Sequence, residues 1–207
     1  MSGDYCFSRT GRIVSGRLIA IVRSATAEEA ETLGEALLAQ GFDVLEIALT
    51  TQGALAAIEH LAARHPEALI GAGTVLDAAS ARAAILAGAR FLVSPSLVPE
   101  VLATGHRYGA PTVCGALTAS EIEGAQSAGA DLVKLFPAAQ LGPEYLRAVR
   151  AALPQIPIVP TGGINADNAR DWFDAGAVAL GVGHALTSDA TQRAQLQGVL
   201  ADIAGAA

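Results

Sequence analysis

The stretch Ala128-Gly129-Ala130-Asp131-Leu132-Val133-Lys134-Leu135-Phe136-Pro137 closes a helix-like segment and opens a strand-like one within ten residues. Its glycine suits a helix C-terminus that needs a positive φ, and the apolar run behind it reads as a strand covered on both faces. The same punctuation recurs as Gln40-Gly41-Phe42-Asp43, Ala87-Gly88-Ala89-Arg90 and Ala175-Gly176-Ala177-Val178. Successive glycines are 47, 41 and 47 residues apart, the length of two strand-helix units each time. Filling the intervals gives eight strands, at residues 18–22, 44–48, 69–72, 91–94, 111–114, 132–136, 156–160 and 178–181. Helix starts lie between them. Thr26-Ala27-Glu28-Glu29 and Thr118-Ala119-Ser120-Glu121 match capping boxes, Pro143 suits a first turn, and Asn165 or Asp167 caps the seventh helix. The pattern predicts an α/β chain folded as a (β/α)8 TIM barrel, with an open doubly wound sheet as the alternative. One domain is expected over residues 1–207, with residues 1–16 as an N-terminal extension or helix.

Composition narrows the function. Hydrophobic residues make up 52% of the chain and no low-complexity linker divides it, which indicates a large core. A net charge of -7 argues against a nucleic-acid partner, whose phosphates demand a basic surface. The N-terminus lacks the apolar stretch of a signal peptide and no later run is long enough to span a bilayer, so no membrane partner and a cytoplasmic location are expected. Cys6 and Cys114 lie far apart and form no C-x-x-C, which fits neither a disulfide framework nor a zinc site. No G-x-S-x-G, H-E-x-x-H or clustered ligand set occurs, so no metal and no cofactor are expected. Gly71-Ala72-Gly73-Thr74 lacks the third glycine and the downstream acid of a dinucleotide fingerprint.

In barrels of this kind the chemistry gathers at the C-terminal ends of the strands. Read there, the sequence places Arg23, Glu46, Thr74, Ser94 with Pro95, Cys114, Lys134, Thr161 with Gly162 and Gly163, and Gly181 with Gly183. Lys134 is the only lysine of the chain, beside twelve arginines, and it sits inside an apolar strand. A lysine of no special purpose would lie with its stem on apolar neighbours and its ammonium in water. An arginine-preferring chain that keeps one lysine in such a place instead points to an amine that must lose its proton, the nucleophile of Schiff-base chemistry. Glu46 is the second charged residue embedded in an apolar strand, and reads either as a general acid/base or as the partner of a nearby arginine. The glycines after the last two strands let backbone N–H groups approach an anion closely, in the place where barrels recurrently bind phosphate. Thr74 reads as a substrate hydrogen-bond donor or a turn cap. His60, His65 and His106 fall on helical, surface segments, whereas His184 lies in the anion loop.

Taken together, IAIVR (19–23), LEIALTT (45–51), GAGTVL (71–76), FLVSPS (91–96), DLVKLFPA (131–138), PTGGIN (160–165) and ALGVGHAL (179–186) resemble the 2-keto-3-deoxy-6-phosphogluconate aldolases, with the related galactonate-phosphate and 4-hydroxy-2-oxoglutarate aldolases. The resemblance implies a homotrimeric barrel and a metal-free class I aldolase that forms pyruvate. It makes Lys134 the Schiff-base lysine, Glu46 the general acid/base and Thr74 a contact to the pyruvate end. Gly162, Gly163 and Gly183 become phosphate contacts, with Pro95 and Phe136 as pocket wall. Three positions depart from the family pattern. Thr50 stands where many gluconate-type members carry a carboxylate-binding arginine, a role that falls here to Arg23, as in galactonate-type members, with Thr50 beside it. His184 replaces a phosphate-loop serine, and its imidazole adds charge when protonated. Cys114 replaces a common proline. The readings left open are an aldolase for 4-hydroxy-2-oxoglutarate or another non-phosphorylated 2-keto acid, a non-covalent phosphosugar isomerase, and a binding or scaffold barrel.

Overall fold

The apolar runs become eight parallel strands because helices cover one face of each and a closed interior covers the other. The computed structural model describes residues 5–205; the first four residues of the expected N-terminal extension, with Ala206 and Ala207, lie outside the described residues. In chain order the elements are α1 (Cys6–Gly16), β1 (Leu18–Val22), α2 (Ala27–Leu38), β2 (Val44–Ala48), α3 (Ala54–Arg64), β3 (Leu69–Gly73), α4 (Ala78–Leu86), β4 (Leu92–Ser94) and α5 (Pro99–Tyr108). They continue as β5 (Thr112–Ala116), α6 (Ala119–Ser127), β6 (Leu132–Leu135), α7 (Gly142–Ala152), β7 (Ile158–Pro160), α8 (Ala166–Asp174), β8 (Leu180–Val182), α9 (His184–Ser188) and α10 (Ala190–Gly205). Strands neighbour one another in the order β7-β6-β5-β4-β3-β2-β1-β8. Val178 N–H donates to the Ile158 carbonyl at 3.0 Å and Thr161 pairs with Gly181, which closes β8 onto β7. The chain is therefore a (β/α)8 barrel.

Alternation along the strands divides the core in two. Ile19, Val44, Leu69, Phe91, Val93, Val113, Leu132, Val159 and Ala179 point inward and fill the lower barrel, where Ile13 of α1 joins them as a plug. The residues between them, such as Val133 and Leu135 of β6, face the helices. Helix α1 is held under the barrel by Arg9, which donates to the Gly109 carbonyl at 3.0 Å, and Arg12, which donates to the Glu67 carbonyl at 2.7 Å. The four punctuating glycines all adopt positive φ, from 85° at Gly41 to 104° at Gly88, as their helix C-termini require.

Element ends differ from the sequence reading in places. Strand β5 runs on to Ala116, and β8 starts two residues later than expected and ends at Val182. Cys114 is consequently a mid-strand residue that faces the helices, buried in the outer core and away from the mouth, while its neighbour Gly115 takes the inward position. Asn165 rather than Asp167 caps α8, accepting from the Asp167 and Asn168 N–H groups. The Thr118–Glu121 capping box is complete. At α2 the Thr26 hydroxyl accepts from the Glu29 N–H, but the Glu29 carboxylate reaches one residue further back, to the Ala25 N–H at 3.0 Å.

Candidate active site

Above the apolar floor the inward positions turn polar. Continuing the period of two from Leu132 brings Lys134 inward on β6 and Phe136 inward just beyond its end, and from Val44 brings Glu46 inward on β2. Both ionisable residues are buried, Glu46 at 2% and Lys134 at 7% exposure, yet both line one cavity of about 680 Å³ that opens at the C-terminal ends of the strands. Lys134 Nζ lies 5.0 Å from the centroid of the Phe136 ring, within cation–π range. Glu46 Oε1 is buried and has no hydrogen-bond partner among the described residues. Leaving a buried acceptor unmade costs more than a typical hydrogen bond contributes, so this oxygen is poised for a water or a ligand group. It is not, however, the partner of a neighbouring arginine that the alternative reading of Glu46 required.

Strand β3 carries the next two features through a bulge. Ala72 N–H donates to the Phe91 carbonyl at 3.1 Å and Val75 N–H to the Val93 carbonyl at 3.0 Å, so three residues of β3 advance against two of β4. The extra residue is Thr74, at φ 59°, a left-handed conformation that costs a non-glycine residue about 1–2 kcal/mol. It turns the Thr74 side chain into the cavity wall directly after Gly73 has already faced inward. Gly73 itself makes room for the acid: a Cβ there would overlap Glu46 Oε1 and stand 2.5 Å from its Cδ.

Arg23, one step beyond β1, bridges two threonines. Its Nη1 donates to the Thr50 hydroxyl at 2.6 Å and its Nη2 to the Thr74 hydroxyl at 3.3 Å. Arg23, Thr74, Pro95 and Phe136 all line the cavity, whereas Thr50 does not; it stands behind the guanidinium. At the opposite end the wall is formed by Gly162, Gly163, Gly183 and His184. Gly162 and Gly163 adopt φ of 97° and 75°, and no hydrogen bond from either N–H is seen among the described residues, which leaves both donors for an anion.

Thr161, which the sequence places at a strand end, also lines the cavity, whereas three other lining residues escape a sequence reading. Thr161 is inward at the end of β7 and buried, and its signal was present in the two-residue spacing from Val159. Ser188, Asp189 and Gln192 reach the cavity from α9 and the start of α10. No local motif marks them; they arrive because Gln192 Oε1 accepts from the Ala166 N–H at 2.9 Å and draws the start of α10 over the mouth. Cys114, in the outer core, does not line the cavity, and burial pushes its thiol up, which makes it a poor nucleophile.

Comparison with known proteins agrees with this arrangement. The family model described as KDPG and KHG aldolase matches residues 10–201. A relative from Escherichia coli K12, 2-dehydro-3-deoxy-6-phosphogalactonate aldolase, is 37% identical over 80% of this chain and 82% of its own. A solved structure titled native KDPGal superposes with a TM-score of 0.83 at 32% identity, covering 92% of this chain and 96% of that one. The KDPG aldolase of Legionella pneumophila, solved with pyruvate captured as a covalent carbinolamine, gives a TM-score of 0.80 at 30% identity, covering 96% of this chain and 97% of that one. Shared architecture, a buried lysine and acid in one mouth, and matches that run almost end to end thus place the chain in the KDPG and KHG aldolase family.

Proposed function

We propose that the protein is a class I aldolase that cleaves a 2-keto-3-deoxy-6-phospho sugar acid to pyruvate and glyceraldehyde 3-phosphate through an imine on Lys134. The observation that carries the reading is the meeting of Lys134 and Glu46, two buried ionisable side chains, in one open cavity. The neutral amine of Lys134 attacks C2 of the keto acid; the carbinolamine takes up a proton from solvent in the open cavity, loses water and leaves a protonated imine. That cation accepts the electron pair of the C3–C4 bond. Glu46, through a water at its unpartnered oxygen, takes the C4 hydroxyl proton as the bond breaks, and the aldehyde departs from an enamine. The acid then returns a proton to C3, and hydrolysis of the imine frees pyruvate and Lys134.

Arg23 and Thr74 hold the carboxylate end, and the Gly162, Gly163, Gly183 and His184 wall holds the phosphate. Fixing both ends aligns the scissile bond with the imine, which is the contribution of positioning. Pro95 and Phe136 close the sides. Asp189 at the far end favours a second reading, because a carboxylate there opposes a phosphate dianion: the cavity also suits a shorter substrate such as 4-hydroxy-2-oxoglutarate. Among the described residues no helix is long and apolar enough to cross a membrane. We place the enzyme in the cytoplasm as a homotrimer, supported by the family resemblance and by Leu76 and Leu86, 55% and 69% exposed, which subunit contact would cover.

Borohydride reduction in the presence of pyruvate tests the chemistry. A pyruvate adduct is expected on Lys134 with loss of activity; an unmodified, fully active enzyme after treatment would refute the imine. Pyruvate release from both phosphorylated epimers and from 4-hydroxy-2-oxoglutarate decides between the two substrate readings.

A further inference from the structure

We propose that Thr50 is a positioning residue that acts through Arg23, presetting the guanidinium for the carboxylate end of a 2-keto acid; this rests on the reading of Arg23 given above. The shorter of the two Arg23 hydrogen bonds, 2.6 Å, goes to Thr50, a residue the cavity does not reach, and the longer, 3.3 Å, to Thr74 on the cavity wall. A guanidinium donates five N–H groups in one plane and accepts nothing, so both hydroxyl oxygens are acceptors here. Fixing one N–H on each Nη defines that plane and leaves one N–H on each, with the Nε–H, for a ligand. Accepting from Arg23 also commits an oxygen lone pair of Thr74, which leaves its own proton to donate into the cavity.

Thr50 can hold the arginine because its loop is itself held. The Ser24 N–H donates to the buried Thr51 hydroxyl at 3.2 Å, the Gln52 N–H donates to the Ala25 carbonyl at 3.3 Å, and the Thr51 N–H donates to the Ala48 carbonyl at 2.9 Å. The loops after β1 and β2 are thus stitched together immediately beyond the Arg23–Thr50 pair. Without that hydroxyl, Arg23 is a long, partly exposed arm at the mouth whose rotamer freedom must be surrendered on every binding event. The loss belongs to ground-state and transition-state binding alike, so it reads in KM and not in kcat.

The test is a cycle on the intact enzyme. Thr50→Val, which keeps the shape and removes the acceptor, is expected to raise KM about tenfold, equivalent to about 1.4 kcal/mol, with kcat within about twofold. Thr50→Ser should restore KM, and Thr50→Ala provides a second deletion if the valine disturbs the loop; unfolding midpoints of all three are expected to stay near the parent value. In an Arg23→Gln background, Thr50→Val should change nothing further. An unchanged KM in both Thr50 deletions, or penalties that simply add to that of Arg23→Gln, overturns the proposal while leaving the aldolase reading intact. If Arg23→Gln alone leaves KM unchanged, the assignment of Arg23 to the carboxylate fails first and the proposal falls with it.

Discussion

Replacing Gly73 by alanine separates the chemistry of this barrel from its packing. The φ of Gly73 is not in the left-handed region, so the backbone admits a side chain and the effect is steric alone. The new Cβ would overlap Glu46 Oε1 and stand 2.5 Å from Cδ and 2.6 Å from Cγ. An unstrained carbon–carbon contact needs about 3.5 Å, so the carboxylate must retreat by about 1 Å. A displacement of that size at a reacting group costs about 100-fold in rate, and the overpacking costs about 1–3 kcal/mol in stability.

The control is Gly71→Ala on the same strand, whose Cβ would collide with the buried Phe91 ring of the apolar floor and meets no functional group. Both variants are expected to unfold at lower denaturant concentration, but only Gly73→Ala should lose about 100-fold in kcat for pyruvate release. Imine trapping on Lys134 should survive in both, since β6 is untouched. A Gly73→Ala enzyme within threefold of the parent turnover, or one that merely equals Gly71→Ala, would refute the claim that this glycine exists to seat Glu46.

Two further outcomes concern ionisation away from the site. The Glu121 carboxyl is held below its ordinary value by the backbone N–H groups of Thr118 and Leu117 and the Thr118 hydroxyl. A folded value below the unfolded one means that this stabilisation is present above the ordinary carboxylate range and is lost as pH falls through the folded value. Glu121→Gln should therefore lower the melting temperature at neutral pH and converge with the parent in acid; a difference that persists at pH 2 would contradict it. The Cys6 thiol is pushed up to about 11 from 9.0 by burial and then by the charge of Asp131, with which it also shares a hydrogen bond. The native protein at pH 8 then carries about 100-fold less Cys6 thiolate than the unfolded chain. The sign is opposite to that at Glu121: because the folded value is raised, stability is undiminished below pH 9 and falls as pH rises towards 11. Thiol titration should find Cys6 slow until denaturant is added, and prompt labelling of the native protein would exclude this account.

The barrel was legible because strand-helix alternation is a local property: each helix C-terminal glycine and each capping residue acts on its own neighbours. Lys134 and Glu46 were legible for a related reason, since a charge inside an apolar strand is improbable unless something compensates it. What escaped depends on register between distant strands. Whether Thr50 lines the cavity or stands behind Arg23 is settled by how the loops after β1 and β2 are stitched, and nothing within LEIALTT states it. Thr74 needs the bulge between β3 and β4 to enter the wall, and the bulge is defined by Phe91 and Val93 as much as by Gly73. Asp189 and Gln192 depend on where α10 crosses the mouth.

The glycines show the same division most sharply. In the sequence, Gly181-Val182-Gly183 reads as a backbone device, for turning or for cradling an anion, and Gly71-Ala72-Gly73 only as an incomplete dinucleotide fingerprint. In the barrel, Gly73 and Gly181 are inward residues whose missing side chains supply volume, to Glu46 and to Thr161. Register pairs Glu46 with Gly71 and Lys134 with Gly115, so each buried charge has a glycine on one neighbouring strand and an apolar residue, Ile21 or Val159, on the other. Glu46 nonetheless occupies the space over Gly73 rather than over its paired Gly71, because strand side chains lean along the strand. A closed ring of eight strands has little interior to share, and long ionisable side chains fit at the top of it only where neighbouring strands give up theirs. The glycine at position 73 is thus part of what lets the Glu46 carboxylate be buried without a protein partner, and that unpaired state is what leaves its oxygen free for a substrate, whereas Gly115, beside Lys134, makes way for the Pro95 backbone.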